Sequence, residues 1–136
     1  MFKGIKLFAM RNNELMKLLS SLSAEDYCYL TTQGRVSGRP HEIEIWFGIK
    51  DNSLYLLSGS GERSDWVKNL LKEPSVAVRI KEHNFAGTAR IVSNEEEDTM
   101  ARYMLAEKYQ EWKEGKTLSD WAHTALVVGI DLDQAE

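Results

Sequence analysis

Two short segments carry residue types and spacings suited to holding an anion. The first is Gly34-Arg35-Val36-Ser37-Gly38-Arg39-Pro40, where two arginines, a serine and two glycines share one turn between strands. Guanidinium forks are common donors to phosphate, as are backbone N–H groups that glycine allows to approach closely. Taken alone, the segment reads first as a solvated hairpin loop. The second is Ser58-Gly59-Ser60-Gly61, small residues ahead of a helix start whose unpaired N–H groups attract anions. Glu62 and Asp65 already place negative charge at that end, and Arg63 offsets only part of it. Alone, this too is a loop. Trp66 and Asn69, three apart, share a helical face beside it. That face could wall a planar ring system, while Val67, Leu70 and Leu71 form a core stripe.

The other reactive side chains do not assemble into a catalytic set, and no catalytic residue is identified. Cys28 is the only cysteine. It lies in an apolar run, as a small buried hydrophobe does, and no disulfide or cysteine zinc site can form within the chain. His41, His83 and His123 follow no metal-ligand spacing, so no metal is expected. Glu42 and Glu44 share a strand face without a third partner and read as a solvent-facing stripe. No serine stands in a nucleophile elbow. Glu95 to Asp98 reads as ordinary first-turn helix charge, and Tyr103, Tyr109 and Trp112 read as packing.

The elements that position these residues follow from periodicity. Leu15, Leu18, Leu19 and Leu22 make one helical face, with Asn13 as its cap, inside an N-terminal helical segment 1–25. Residues 26–32 read as a strand. Residues 41–49 alternate, with Ile43, Ile45, Phe47 and Ile49 on one side and Glu42, Glu44 and Trp46 on the other. A turn at 50–53 makes a hairpin of this strand with 54–58. Ser64 caps a helix over 65–72, which must stop before Pro74. Strands follow at 76–80 and 85–92. Ser93 and Glu96 form a capping box that opens a helix over 93–113, packed on the sheet, and 124–132 is the last strand. About six mostly antiparallel strands with peripheral helices, and no βαβ alternation, predict a split β-barrel in one domain over 1–136.

The bulk numbers exclude several classes. The chain has 136 residues, 43% hydrophobic and 28% charged, which is one ordinary globular core. With 17 basic and 21 acidic side chains the net charge is -4, so no concentrated positive face for nucleic acid is expected. No stretch approaches the length of a membrane span, and lysines interrupt the first residues too early for a signal-peptide core. A cytoplasmic protein without nucleic-acid or membrane partners is expected.

The order of these segments is more specific than any one of them. Thr31-Thr32-Gln33 running into the arginine loop, the hairpin, Leu57-Ser58-Gly59-Ser60-Gly61, then Trp66-Val67-Lys68-Asn69-Leu70 and Pro74-Ser75-Val76 resembles the flavin/deazaflavin oxidoreductases of the pyridoxamine 5'-phosphate oxidase-like split barrel. It is most similar to their deazaflavin-dependent nitroreductase branch. The resemblance covers roughly residues 27–92 well and the C-terminal helix and strand loosely. It implies that Arg35, Ser37, Gly38, Arg39, Ser58, Gly59, Ser60 and Gly61 hold the cofactor's phosphate and ribityl portions, with Trp66 and Asn69 alongside. Val36 stands where the family loop commonly has lysine. His41 and Glu44 stand where relatives often carry a basic residue and a proline. Trp66 replaces a lysine common in the FMN-using branch, which favours the deazaflavin coenzyme (F420) over FMN. The implied function is transfer of hydride from the reduced cofactor to a small organic acceptor such as a quinone, nitroaromatic or enone. The alternative is a non-catalytic FMN- or haem-binding split-barrel module. Family members are usually homodimers with the site at the interface. Four tryptophans and five tyrosines agree with an aromatic interface.

Overall fold

The computed structural model describes residues 8, 9 and 11–135. The part of the expected 1–25 helical segment before Arg11, apart from residues 8 and 9, lies outside them. In chain order the elements are β1 (Phe8–Ala9), α1 (Asn12–Leu22), β2 (Cys28–Gln33), β3 (Pro40–Ile45), β4 (Gly48–Lys50), β5 (Ser53–Ser58), a 3-10 turn (Gly61–Arg63), α2 (Asp65–Lys72), β6 (Ser75–Ile80), β7 (His83–Ile91), α3 (Glu95–Gln110), α4 (Asp120–Thr124) and β8 (Leu126–Ala135). All strand pairs are antiparallel, in the order β3-β2-β6-β7-β8-β5-β4, with β1 added to β8.

That order forces the shape. β3 and β4 are the two edges of the sheet, yet only Trp46 and Phe47 separate them in sequence. Three Cα steps span roughly 11 Å at most, so the sheet must curl until its edges nearly meet. The expected continuous strand over 41–49 is therefore two strands. Alternation of side chains runs through the break because the backbone stays extended, while the hydrogen-bonding neighbour changes from β2 to β5. The expected hairpin survives only as the three-residue pairing of β4 with the start of β5.

Curling gives one barrel core and one outer core. Leu30, Val78, Phe85, Val128, Ile130, Leu54 and Leu56 fill the barrel, with Phe47 fully buried at the crossover. β5 is buried on both faces. Leu54 and Leu56 point inward, whereas Tyr55 and Leu57 pack outward with Val127 against Ala101 and Leu105 of α3. Leu15, Leu19 and Leu22 of α1 join the barrel core, so the leucine stripe reads as expected. Cys28 is buried, and desolvation pushes its thiol up to about 12, the behaviour of an inert core thiol.

Several local expectations need correction. Asn13 does not cap α1; Arg11 occupies the cap position and no side chain closes it. The α3 cap is Asn94 rather than Ser93, with the Asn94 side chain accepting from the Glu97 N–H. Two cap-forming residues stand side by side there, and the sequence alone does not choose between them. Leu71 is half exposed rather than in the core stripe. Glu97 is more than first-turn charge: with Asp131 it receives the Arg90 guanidinium, which holds both carboxyls below the usual carboxylate range. Among the described residues there are eight strands, where about six were expected, and the five-residue α4 had no counterpart in the sequence reading. No helix among the described residues is long and apolar enough to cross a membrane.

Candidate functional site

β3 leaves one edge of the sheet unpaired, and two clefts open along it. The first, of about 540 Å³, lies between the arginine loop, β3 and the start of α2. Of the residues predicted from sequence, Arg35, Ser37, Trp66 and Asn69 line it together, joined by His41, Glu42 and Asp65. Gly38 and Arg39 sit on the outer side of the same loop and do not line it; Arg39 is exposed.

Asn69 organises this cleft. Although polar, it is 4% exposed, and burial at that depth requires its hydrogen bonds to be met. Its Nδ2 donates to Thr32 Oγ1 at 3.1 Å, and its Oδ1 accepts from the Arg35 backbone N–H at 3.2 Å and from Arg35 Nη1 at 2.8 Å. The helix thus locks both the start of the loop and the guanidinium. Arg35 Nη2 donates to Asp65 Oδ1 at 3.0 Å, and Lys72 Nζ donates to the Arg35 carbonyl at 2.9 Å. Among the described residues, Arg35 Nε has no partner, so one edge of the guanidinium stays open to a ligand.

The loop offers an anion less backbone than expected. The N–H groups of Gly34, Gly38 and Arg39 are spent on Arg39 O, Gly34 O and Ser37 Oγ. Gly38 needs its glycine, since its φ of 74° lies in the left-handed region. A Cβ on Gly34 would meet His41 Nε2 at 2.6 Å, so the loop folds hard against the first residues of β3. Trp66 is half-buried, packed on the barrel core with its ring forming a cleft wall.

The second cleft, of about 410 Å³, was not foreseen. Tyr27, Glu44, Ile45, Trp46, Leu57, Gln110 and Trp121 line it. Trp46 interrupts the edge at the crossover. Tyr109 stacks flat on it at 4.3 Å between centroids, and Trp121 of α4 stands edge-on at 5.6 Å. Neither indole N–H of Trp46 or Trp121 has a hydrogen-bond partner among the described residues. Glu44, read from the sequence as part of a solvent-facing stripe, lines this cleft and accepts from Tyr29 Oη at 3.2 Å. The tryptophan on the polar side of the 41–49 alternation was the available signal; its companions come from remote segments.

The loop 58–61 lines neither cleft but connects them. Ser58 is buried, and its Oγ pairs with Gly61 O and Ser64 Oγ, closing the loop on itself. Ser64 therefore does not cap α2 through its side chain. Gly59 lies beside Trp121, where a Cβ would be 3.4 Å from the ring. Leu57 before the loop borders the aromatic cleft, and Asp65 and Trp66 after it border the charged one. Ile43 and Ile45, two apart on β3, do the same on the other wall, about 7 Å from each other. The two clefts thus lie side by side along β3 as a trough, with a partly committed arginine at one end and aromatic rings at the other.

A family model described as F420H(2)-dependent quinone reductase matches residues 6–127. No curated protein matches the chain. Among solved structures, a Bacteroides thetaiotaomicron protein assigned as a 5-nitroimidazole antibiotic resistance protein is 18% identical. It superposes with a TM-score of 0.68, covering 99% of this chain and 88% of that one. A Listeria innocua protein assigned as a pyridoxamine 5'-phosphate oxidase is 18% identical at a TM-score of 0.67, covering 90% and 96%. An F420-H2 dependent reductase is 20% identical at a TM-score of 0.61, covering 77% and 93%. At such identities these structures establish the split-barrel fold.

Proposed function

The chain belongs to the F420H(2)-dependent quinone reductase family, and we propose that it reduces small planar acceptors, such as quinones, nitroaromatics or enones, within the trough along β3. Membership makes it an oxidoreductase whose cofactor is the deazaflavin coenzyme F420. The observation that carries the acceptor reading is the adjacency of the two clefts on one edge strand.

The residues present fit such a cofactor. An open guanidinium edge at Arg35, the Ser37 hydroxyl and His41 offer donors to a phosphate, and Trp66 offers a flat wall beside them. When bound, the coenzyme supplies the hydride. The protein's share is placement: Asn69 and Lys72 fix the arginine loop, and Trp66 sets the depth of the charged cleft. Trp46 and Trp121 can wall an acceptor ring and keep water from it, with their indole N–H groups available to its oxygens. No side chain has to form a covalent bond, consistent with the absence of an evident nucleophile from the sequence. Mixing the protein with the reduced coenzyme and a panel of quinones, nitroaromatics and enones tests this. Loss of the reduced chromophore at a rate above the protein-free control is expected with at least one acceptor. Binding of the coenzyme with no acceptor turned over removes the reductase reading.

A second copy is proposed to cover the trough. β3 bonds to β2 on one side only, and Trp46 and Tyr27 are 45% and 44% exposed beside it. Aromatic residues next to an open edge are the composition of an interface core. Light scattering with coenzyme present is expected to give twice the 15.6 kDa of one chain; a single-chain mass removes the shared site.

A further inference from the structure

We infer that the aromatic cleft takes planar acceptors that carry a positive charge, and that Glu44 is the residue that selects for the charge. The inference rests on the reductase reading above and narrows its acceptor class. Trp46 and Trp121 meet in this cleft at 86°, with ring centroids 5.6 Å apart, and Tyr27 and Glu44 extend its wall. Indole and phenol rings attract organic cations, tryptophan most strongly, and a carboxylate beside them adds charge of the matching sign. Glu44 Oε1 accepts from Tyr29 Oη, and its Oε2 has no partner among the described residues. Among the described residues, no lysine, arginine or histidine lines the cleft. Arg79 of β6 and Lys108 of α3 are held elsewhere. The Arg79 guanidinium lies 4.2 Å over the Tyr29 ring with Glu42 at 4.0 Å, and Lys108 sits over the buried Phe47 and donates to its carbonyl. Charge is thus divided along the trough, with Arg35 in one cleft and Glu44 in the other.

A positive charge also suits the reaction. A cationic acceptor that takes up one hydride becomes neutral. Its ring gains two electrons and a new C–H or N–H bond, the reduced coenzyme loses both electrons with that hydrogen, and no side chain has to supply a proton. A neutral quinone becomes an anion at the same step, which Glu44 repels until a proton arrives. The neutral product of a cationic acceptor no longer draws on Glu44, so the carboxylate holds substrate more tightly than product. Glu44 is exposed on an edge strand, and glutamine there keeps an oxygen for Tyr29 Oη while removing the charge. It is a specificity-determining residue, not a catalytic one.

The test uses two probes with the same ring and opposite charge, phenyltrimethylammonium and benzenesulfonate, neither of which accepts hydride. Each is titrated into the full chain at low salt while the indole N–H resonances of Trp46 and Trp121 are followed. The cation is expected to shift both resonances and to bind about tenfold more tightly than the anion. Glu44→Gln should narrow that gap by about threefold, and added salt should narrow it in wild type. In turnover with the reduced coenzyme, Glu44→Gln should raise the KM of a phenothiazinium dye, a planar acceptor of charge +1, by about threefold relative to that of a neutral naphthoquinone. Equal binding of the two probes by wild type, or a gap that Glu44→Gln leaves unchanged, overturns the inference and leaves the reductase reading standing. Oxidation of the reduced coenzyme by no acceptor at all removes the reductase reading, and the cleft's role as an acceptor site goes with it, whatever the probes show.

Discussion

Replacing Arg35 with alanine is expected to weaken binding of the deazaflavin coenzyme by roughly ten- to a hundred-fold. Arg35 lines the charged cleft with its Nε unpartnered among the described residues, and a hydrogen bond between charged groups contributes ~1.5–3 kcal/mol. At about 1.4 kcal/mol per decade, that range is the stated loss in affinity. Folding should hardly change. The Arg35–Asp65 pair has an exposed partner and contributes little to stability. Asn69 Oδ1 keeps the backbone N–H of residue 35 in the alanine variant, so the buried amide is not left unpaired. Arg39→Ala serves as the comparison: its side chain lies outside the cleft, and the expected loss is smaller. Unchanged affinity in Arg35→Ala, measured by fluorescence titration, would mean that the loop is a solvated turn.

Tyr109→Phe is expected to cost about 1–3 kcal/mol of stability, the penalty for a buried backbone donor left without a partner. The reason lies at the crossover. Where β3 hands over to β4, Phe47 belongs to neither ladder, and α3 supplies what the sheet does not. The Phe47 N–H donates to Tyr109 Oη at 3.0 Å, and Lys108 Nζ donates to the Phe47 carbonyl at 3.0 Å while sitting 3.7 Å over its ring. Tyr109 Oη in turn donates to Asp26 O at 2.8 Å, tying the crossover to the start of β2. Burial pushes the Tyr109 phenol up to about 12 and pulls the Lys108 ammonium down to about 8, as expected for groups committed to this seam. Phenylalanine keeps the flat stack on Trp46 and loses only the hydroxyl, so coenzyme affinity should move little. Urea denaturation reads the stability change. Wild-type stability in Tyr109→Phe would show that water or a neighbouring group serves Phe47 instead.

What could be read from the sequence follows the range of the signal. Strands such as β6, where Val76, Val78 and Ile80 are buried in alternation, declare themselves because side-chain period is local. The break at Trp46 and Phe47 does not, because alternation records which face a residue takes and not which strand it bonds. α4, five residues long, is too short to show a helical period. At the site, the residue types of the charged cleft were legible; Arg35, Ser37, Trp66 and Asn69 do come together. Their internal pairing was not, since Asp65 and Asn69 stand 30 and 34 positions from Arg35 and only folding reveals that they hold it. The aromatic cleft draws on β3, β5, α3, α4 and the segment before β2, a combination no local pattern encodes.

The most direct measurement is a titration of the purified wild-type protein with the deazaflavin coenzyme and, separately, with FMN, following absorbance and fluorescence. Saturable binding of the deazaflavin in the micromolar range, with FMN weaker, is the expected result. A chain that binds neither at micromolar concentration would contradict the assignment of the trough along β3 as a cofactor site.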